Sequence, residues 1–145
     1  MQIIKKSVTF EVEPVVVHNP NFWQMVSSGA WEPDTFEVLQ KYLSKNCSYL
    51  DIGAWVGPTV LFGAQLAKAC YAFEPDPVAH AALKRNLELN PHINNVTAST
   101  TAVGTTTGTP PVNGKGAVPE AAVSAAAGPV VQRAEDVGTS RSSRG

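Results

Sequence analysis

The sequence predicts an α/β chain: an incomplete doubly wound parallel sheet of about three core strands, followed by a disordered carboxyl-terminal tail. Three observations carry this prediction. A short apolar run, Tyr49, Leu50 and Ile52, enters a glycine turn spaced Asp51-x-Gly53-x-x-x-Gly57, and an apolar helical stripe follows it. A second short apolar run, Tyr71 to Phe73, ends in Glu74, 74 − 51 = 23 residues after Asp51. From Thr97 onward the sequence has no Leu, Ile, Met or aromatic residue, so a core cannot be built there.

The elements follow in order. Val8 to Val17 alternates in part, with Phe10 and Val12 set against Thr9, Glu11 and Glu13, which predicts a strand or hairpin interrupted by Pro14. Asn19-Pro20 can cap and open a short helix through Phe22, Trp23, Met25 and Val26, whose aromatics read as packing residues ahead of ligand contacts. Residues 1–30 form this leader. Asp34-x-x-Glu37 resembles a capping box, and Phe36, Leu39 and Leu43 at helical spacing predict a helix from about Thr35 to Lys45, ended by Asn46.

Ser48 to Ile52 is then predicted as a buried strand. Pro58 suits a first helical turn because it has no amide hydrogen to lose there. Val60, Leu61, Ala64 and Ala67 make an apolar stripe, so a helix from about Pro58 to Ala69 should pack on the sheet, with Lys68 complementing its dipole. After a strand from Cys70 to Phe73, Asp76 can cap a helix opening at Pro77, with Ala79, Ala82, Leu83 and Leu87 facing inward and Asn90-Pro91 stopping it. Asn95 to Ala98, or the stretch to Val103, is the third strand. The result is β-α-β-α-β, one mononucleotide-binding half of a doubly wound sheet with right-handed crossovers.

Composition excludes several classes. A hydrophobic content of 43% is ordinary for a globular protein, and the net charge of −1 provides no electrostatic footprint for nucleic acid or an anionic membrane. No stretch reaches the roughly 18 apolar residues of a membrane span, and Lys5-Lys6 is followed by Glu11, Glu13 and Pro14 rather than a signal-peptide core. A cytoplasmic location is therefore expected. Cys47 and Cys70 read as buried thiols of a reducing compartment rather than a disulfide, and neither has metal-ligand neighbours.

The glycine turn carries the chemistry. Gly53 and Gly57 let the backbone bend sharply and lie close against a ligand at the carboxyl end of a parallel strand. A dinucleotide fingerprint requires a glycine where Trp55 stands, so a pyrophosphate site, and with it a nicotinamide-dependent oxidoreductase, is disfavoured. Asp51 beside the turn would repel a phosphate while suiting an ammonium or sulfonium. Glu74, at the neighbouring strand tip, is positioned to accept hydrogen bonds from ribose hydroxyls. Together these features fit S-adenosylmethionine, with its amino acid end near Asp51 and the turn and its ribose on Glu74. The candidate cofactor-binding set is Asp51, Gly53, Ala54, Gly57 and Glu74. Asp76 has its own structural explanation as a cap. His80, Lys84, Arg85 and Glu88 read as a solvated face, and neither His80 nor His92 has the partner acid or nucleophile that catalysis requires.

The segments Trp31-Glu32-Pro33-Asp34-Thr35, Leu50-Asp51-Ile52-Gly53-Ala54-Trp55-Val56-Gly57-Pro58-Thr59 and Tyr71-Ala72-Phe73-Glu74-Pro75-Asp76-Pro77 resemble the amino-terminal half of the FkbM-type S-adenosylmethionine-dependent methyltransferases, over residues 20–103. The resemblance implies a Rossmann-like sheet of the class I methyltransferase type, with residues 31–103 as a partial cofactor-binding domain. It implies S-adenosylmethionine as cofactor and O-methylation of a small-molecule, sugar or lipid-linked acceptor; the near-neutral charge adds the expectation of no nucleic-acid or membrane partner. It also places the segment before the Thr35 helix beside the cofactor pocket, where Glu32 reads first as an exposed acid near a helix start and second as a contact. The family's fourth strand, with its Asp-x-Glu-Gly segment, has no counterpart; Val130 to Val137, within the 104–145 tail, is the one patch resembling what precedes it. No residue stands out as a catalytic base. The alternative reading is a truncated, catalytically inactive remnant that at most binds a ligand or a partner chain, motivated by the change in composition near residue 104.

Overall fold

A computed structural model describes residues 1–16 and 19–104. The elements run β1 (Gln2–Lys5), β2 (Val8–Glu11), α1 (Phe22–Ser28), α2 (Pro33–Tyr42), β3 (Ser48–Ile52), α3 (Pro58–Leu66), β4 (Ala69–Phe73), α4 (Pro77–Glu88) and β5 (Val96–Ser99). β3, β4 and β5 form a parallel sheet in that order, with Asp51 opposite Ala72 and Cys70 opposite Val96. α3 and α4 are the two crossovers, so the predicted β-α-β-α-β unit is present.

Alternation along these strands sets two different faces. Tyr49, Asp51, Cys70 and Ala72 point toward the helices, and a Cβ added at Gly63 of α3 would sit 2.7 Å from the Tyr49 ring. Leu50 and Ile52 point the other way and are 43% and 58% exposed. The expectation of a buried β3 is corrected: both crossovers lie on one side, and β3 is the sheet edge among the described residues.

The leader is an antiparallel β1–β2 hairpin in which Gln2 faces Glu11, turning through Lys6 at φ 52°. Its second strand ends at Glu11, before Pro14, and among the described residues just beyond it there is an isolated antiparallel bridge between Val16 and Asn19 in place of a continuing strand. Two buried asparagines, Asn86 on α4 and Asn90 just after it, hold the leader in place. Asn86 Oδ1 accepts from Glu13 N at 2.8 Å while its Nδ2 donates to Val56 O at 2.9 Å. Asn90 Oδ1 accepts from Glu11 N at 2.7 Å and its Nδ2 donates to Glu11 O at 2.7 Å. The inward stripe of α4 is therefore not purely aliphatic as expected.

Helix ends depart from prediction where a neighbour intervenes. α1 is preceded by Asn21, not Asn19, with no side-chain cap, and closes on Gly29 at φ 83°. α2 begins at Pro33 after Glu32 in a left-handed conformation, so the Asp34/Glu37 capping box does not form, and extended Leu43 ends it before Lys45. α3 ends at Leu66 because Ala67 is extended, leaving Lys68 beyond the helix. Asp76 caps α4 as expected: its Oδ1 accepts from Val78 N at 2.7 Å and Ala79 N at 3.2 Å.

Aromatic rings link the leader to the sheet layer. Trp23 meets Phe10 and Phe22, Phe22 meets Trp31 and Trp55, and Phe36 meets Phe62, all edge-to-face. Trp23, Phe22, Phe10, Phe36 and Phe62 are fully buried, each contributing roughly 1.5–3 kcal/mol by leaving water. The hairpin, α1, α2 and α3 thus share one core. Lys5 enters it with its Nζ donating to Val26 O at 2.8 Å and lying 4.9 Å from the Phe36 ring centre. Cys70 is buried as expected and Cys47 only partly so; both are free thiols. No helix among the described residues is long and apolar enough to cross a membrane. The tail from residue 105 onward, with its Val130 to Val137 patch, lies outside the described residues.

Candidate functional site

The turn between β3 and α3 is held in a strained path. Gly53, Trp55 and Gly57 all have positive φ, at 81°, 47° and 93°. Glycine adopts this region freely, whereas a tryptophan there is held against a cost of order 1–2 kcal/mol. What holds it is visible on both sides. Trp55 N donates to Glu74 Oε2 at 2.7 Å, and the Trp55 ring packs on Phe22 at 4.6 Å.

Each predicted site residue has a definite place. Gly53 is exposed, and a Cβ built on it would meet nothing within 4 Å, so the turn has open space above it. Gly53 N and Ala54 N both donate to Phe73 O, at 2.8 and 3.0 Å, tying the tips of β3 and β4 together. Ala54 is buried, so it shapes the turn from below and its amide is not free for a ligand. Gly57 is buried against α4: a Cβ there would sit 2.6 Å from Leu83 Cδ1. Its lack of a side chain leaves room for Leu83 and so serves helix packing.

Asp51 lies at the β3 tip, 8% exposed. Its Oδ2 accepts from Thr59 Oγ1 at 2.6 Å and from Tyr49 Oη at 2.9 Å. Among the described residues its Oδ1 has no donor. Burial raises its pKa above the ordinary carboxylate value, the two hydroxyls oppose that shift, and the charge of Glu74 adds to it. Burial, then the charge of Asp51, pushes the Tyr49 phenol and the Cys70 thiol upward as well. Glu74 follows β4, 7% exposed, with Oε2 on Trp55 N and Oε1 accepting from Asp76 N at 2.9 Å.

The structure therefore brings both carboxylates to neighbouring strand tips beside one open glycine, as the spacing predicted. It also shows what the spacing concealed. Glu74 clamps the turn through two backbone amides, and Asp51 is oriented by two hydroxyls. Tyr49 was legible in principle, because a strand residue two before Asp51 shares its face. Thr59, in the first turn of α3, carried no signal of its own. Glu32 is exposed and accepts from Thr35 Oγ1 at 3.1 Å, away from any contact with these acids. No group of His, Cys, Asp and Glu among the described residues could hold a metal ion.

No protein-family model matches the sequence, and no protein of curated function matches it. Among solved structures it is similar to SMU.1697c of Streptococcus mutans in complex with SAH, at 27% identity and TM-score 0.45, covering 48% of this chain and 39% of that one. It is similar to TYW2 of M. jannaschii in complex with AdoMet, at 20% identity and TM-score 0.49, covering 68% and 41%. The tRNA m1G37 methyltransferase of M. jannaschii is also similar, at 22% identity and TM-score 0.46, covering 69% and 30%. The chain spans about two fifths of the length of the first two.

Proposed function

We propose that this chain binds S-adenosylmethionine at the tips of β3 and β4 and is a methyltransferase acting on an oxygen of a small-molecule, sugar or lipid-linked acceptor. One observation carries the reading: Asp51 and Glu74, two nearly buried carboxylates, stand at adjacent parallel strand tips beside Gly53, where the turn has no atom within 4 Å of an added Cβ. The residues fit the cofactor. Asp51 Oδ1 suits an ammonium group, and a cation there restores the charged form that burial disfavours. Each Glu74 oxygen accepts one backbone amide and retains a lone pair for a ribose hydroxyl. When bound, the cofactor supplies an electrophilic methyl group on a sulfonium. Asp51, Gly53 and Glu74 face it, while Ala54 and Gly57 hold the turn from behind.

The small-molecule acceptor rests on the FkbM-type resemblance and on a net charge of −1, which offers no attraction to a polyanion. The exposed edge at Leu50 and Ile52 favours a second reading, cofactor binding without turnover by this chain alone, because the crevice beside β3 has one wall among the described residues. Calorimetric titration with S-adenosylmethionine tests the first step. Micromolar binding, about −8 kcal/mol, is expected, weakened at least tenfold by Gly53→Val and by Glu74→Gln. A folded chain that does not bind refutes the cofactor site. Transfer of labelled methyl to a panel of glycosides, polyprenyl-linked sugars and transfer RNA then separates the readings: binding without transfer supports the second, and label in RNA overturns the acceptor class.

A further inference from the structure

The two oxygens of Asp51 stand in different surroundings. Oδ2 is engaged twice, accepting from the Thr59 hydroxyl at 2.6 Å and from the Tyr49 phenol at 2.9 Å. Oδ1 has no donor among the described residues, yet the enclosed side-chain atoms without a partner there are Trp23 Nε1 and His80 Nε2, so Oδ1 is open to solvent. One oxygen is tied down and the other faces out. The tie is held by packed elements. Thr59 lies in the first turn of α3 and Tyr49 on β3, and the Tyr49 ring fills the space beside Gly63, where an added Cβ would sit 2.7 Å from it.

Few groups face this carboxylate. Tyr49 comes from β3, Thr59 from α3, Cys70 from β4 and Glu74 from just beyond it. Burial, then the charge of Asp51, keeps the phenol and the thiol neutral. Glu74 has the same sign as Asp51, and no Lys, Arg or His among the described residues pairs with Asp51. Burial and Glu74 therefore oppose the charge on Asp51, and the two hydroxyls favour it. We propose that Tyr49 and Thr59 are positioning residues for the cofactor: by holding Oδ2 they keep Asp51 ionised and aim Oδ1 at the ammonium group, and so set the lower pH limit of cofactor binding. The proposal rests on the cofactor reading above and adds which residues decide when Asp51 can act. Removing either donor favours the protonated acid, which does not attract an ammonium, so binding is lost at a higher pH than in the wild type.

The test uses the full 145-residue chain with Tyr49→Phe, Thr59→Val and Thr59→Ser, each close in shape to the residue it replaces. Carbon-13 NMR follows the Asp51 carboxyl as pH is varied without cofactor, its signal identified by its loss in Asp51→Asn. The titration midpoint should move to higher pH in Tyr49→Phe and in Thr59→Val and return toward the wild type in Thr59→Ser. Calorimetry then compares S-adenosylmethionine with 5′-methylthioadenosine, which keeps the adenine and ribose but lacks the ammonium. Near the wild-type midpoint, Tyr49→Phe and Thr59→Val should weaken S-adenosylmethionine about tenfold while leaving 5′-methylthioadenosine within about twofold. The loss should shrink as pH rises above the variant's own midpoint. Unmoved midpoints overturn the proposal, and so does an equal loss for both ligands, which is the mark of a merely structural role. Moved midpoints in a chain that binds neither ligand overturn it together with the cofactor site, and unmoved midpoints in a chain that binds both leave the cofactor site standing, so the two failures are distinguishable.

Discussion

Gly57→Ala and Gly53→Ala change the same atom count in one turn, and the structure assigns them different costs. Both positions have φ near +90°, so either alanine bears a left-handed penalty of about 1–2 kcal/mol. At Gly53 the new methyl enters open space, and the penalty ends there. At Gly57 it would lie 2.6 Å from Leu83 Cδ1, and Leu83 is fully buried, so it can retreat only into packed neighbours. Overpacking of that kind adds about 1–3 kcal/mol, for a total near 2–5 kcal/mol at Gly57. That is a large part of the roughly 5–15 kcal/mol that holds a small domain together. Urea unfolding of both variants gives the difference. A double-mutant cycle with Leu83→Ala isolates the clash: Leu83→Ala alone costs about 2–5 kcal/mol, but the pair should fall short of additivity by about 1–3 kcal/mol because the opposing methyl is gone. Equal destabilisation by the two glycine variants, or a cycle additive within about 0.5 kcal/mol, would refute the packing role of Gly57.

Asp51→Asn tests the electrostatics of the β3 tip. Because the folded pKa of Asp51 is raised, the native state holds its proton more tightly than the unfolded chain. The wild type therefore loses stability as pH rises from the ordinary carboxylate range through the folded pKa. Urea midpoints measured between about pH 4 and 7 should fall for the wild type relative to Asp51→Asn, and parallel profiles would exclude a raised pKa. Asn86→Ala removes the bridge between Glu13 N and Val56 O, leaving two backbone groups unmet for about 2–6 kcal/mol. Hydrogen exchange at Glu13 should accelerate in that variant, and unchanged protection would mean that Asn90 alone secures the leader.

What the sequence determined by itself is local. Turn chemistry and short-range periodicity placed β3, α3, β4 and α4 within a few residues, and the Asp76 cap was readable because a side chain bonds amides two and three positions on. The 23-residue spacing also put Asp51 and Glu74 at neighbouring strand tips, since parallel strands joined by one helix must end side by side. Contacts between distant residues decided the rest. Leu50 and Ile52 are apolar by composition and exposed by topology, because both crossovers fall on one face of the sheet. The contact that fills the space beside Gly57 comes from Leu83, 26 residues later (83 − 57), and no local pattern announced it. Asn90 read as part of a helix stop and Asn86 carried no signal, yet the leader, more than 70 residues earlier, meets both with its backbone. A side chain's type can be read along the chain, but its partner is chosen by which segments the sheet and its crossovers bring within hydrogen-bond reach, and that choice exists only in the folded state.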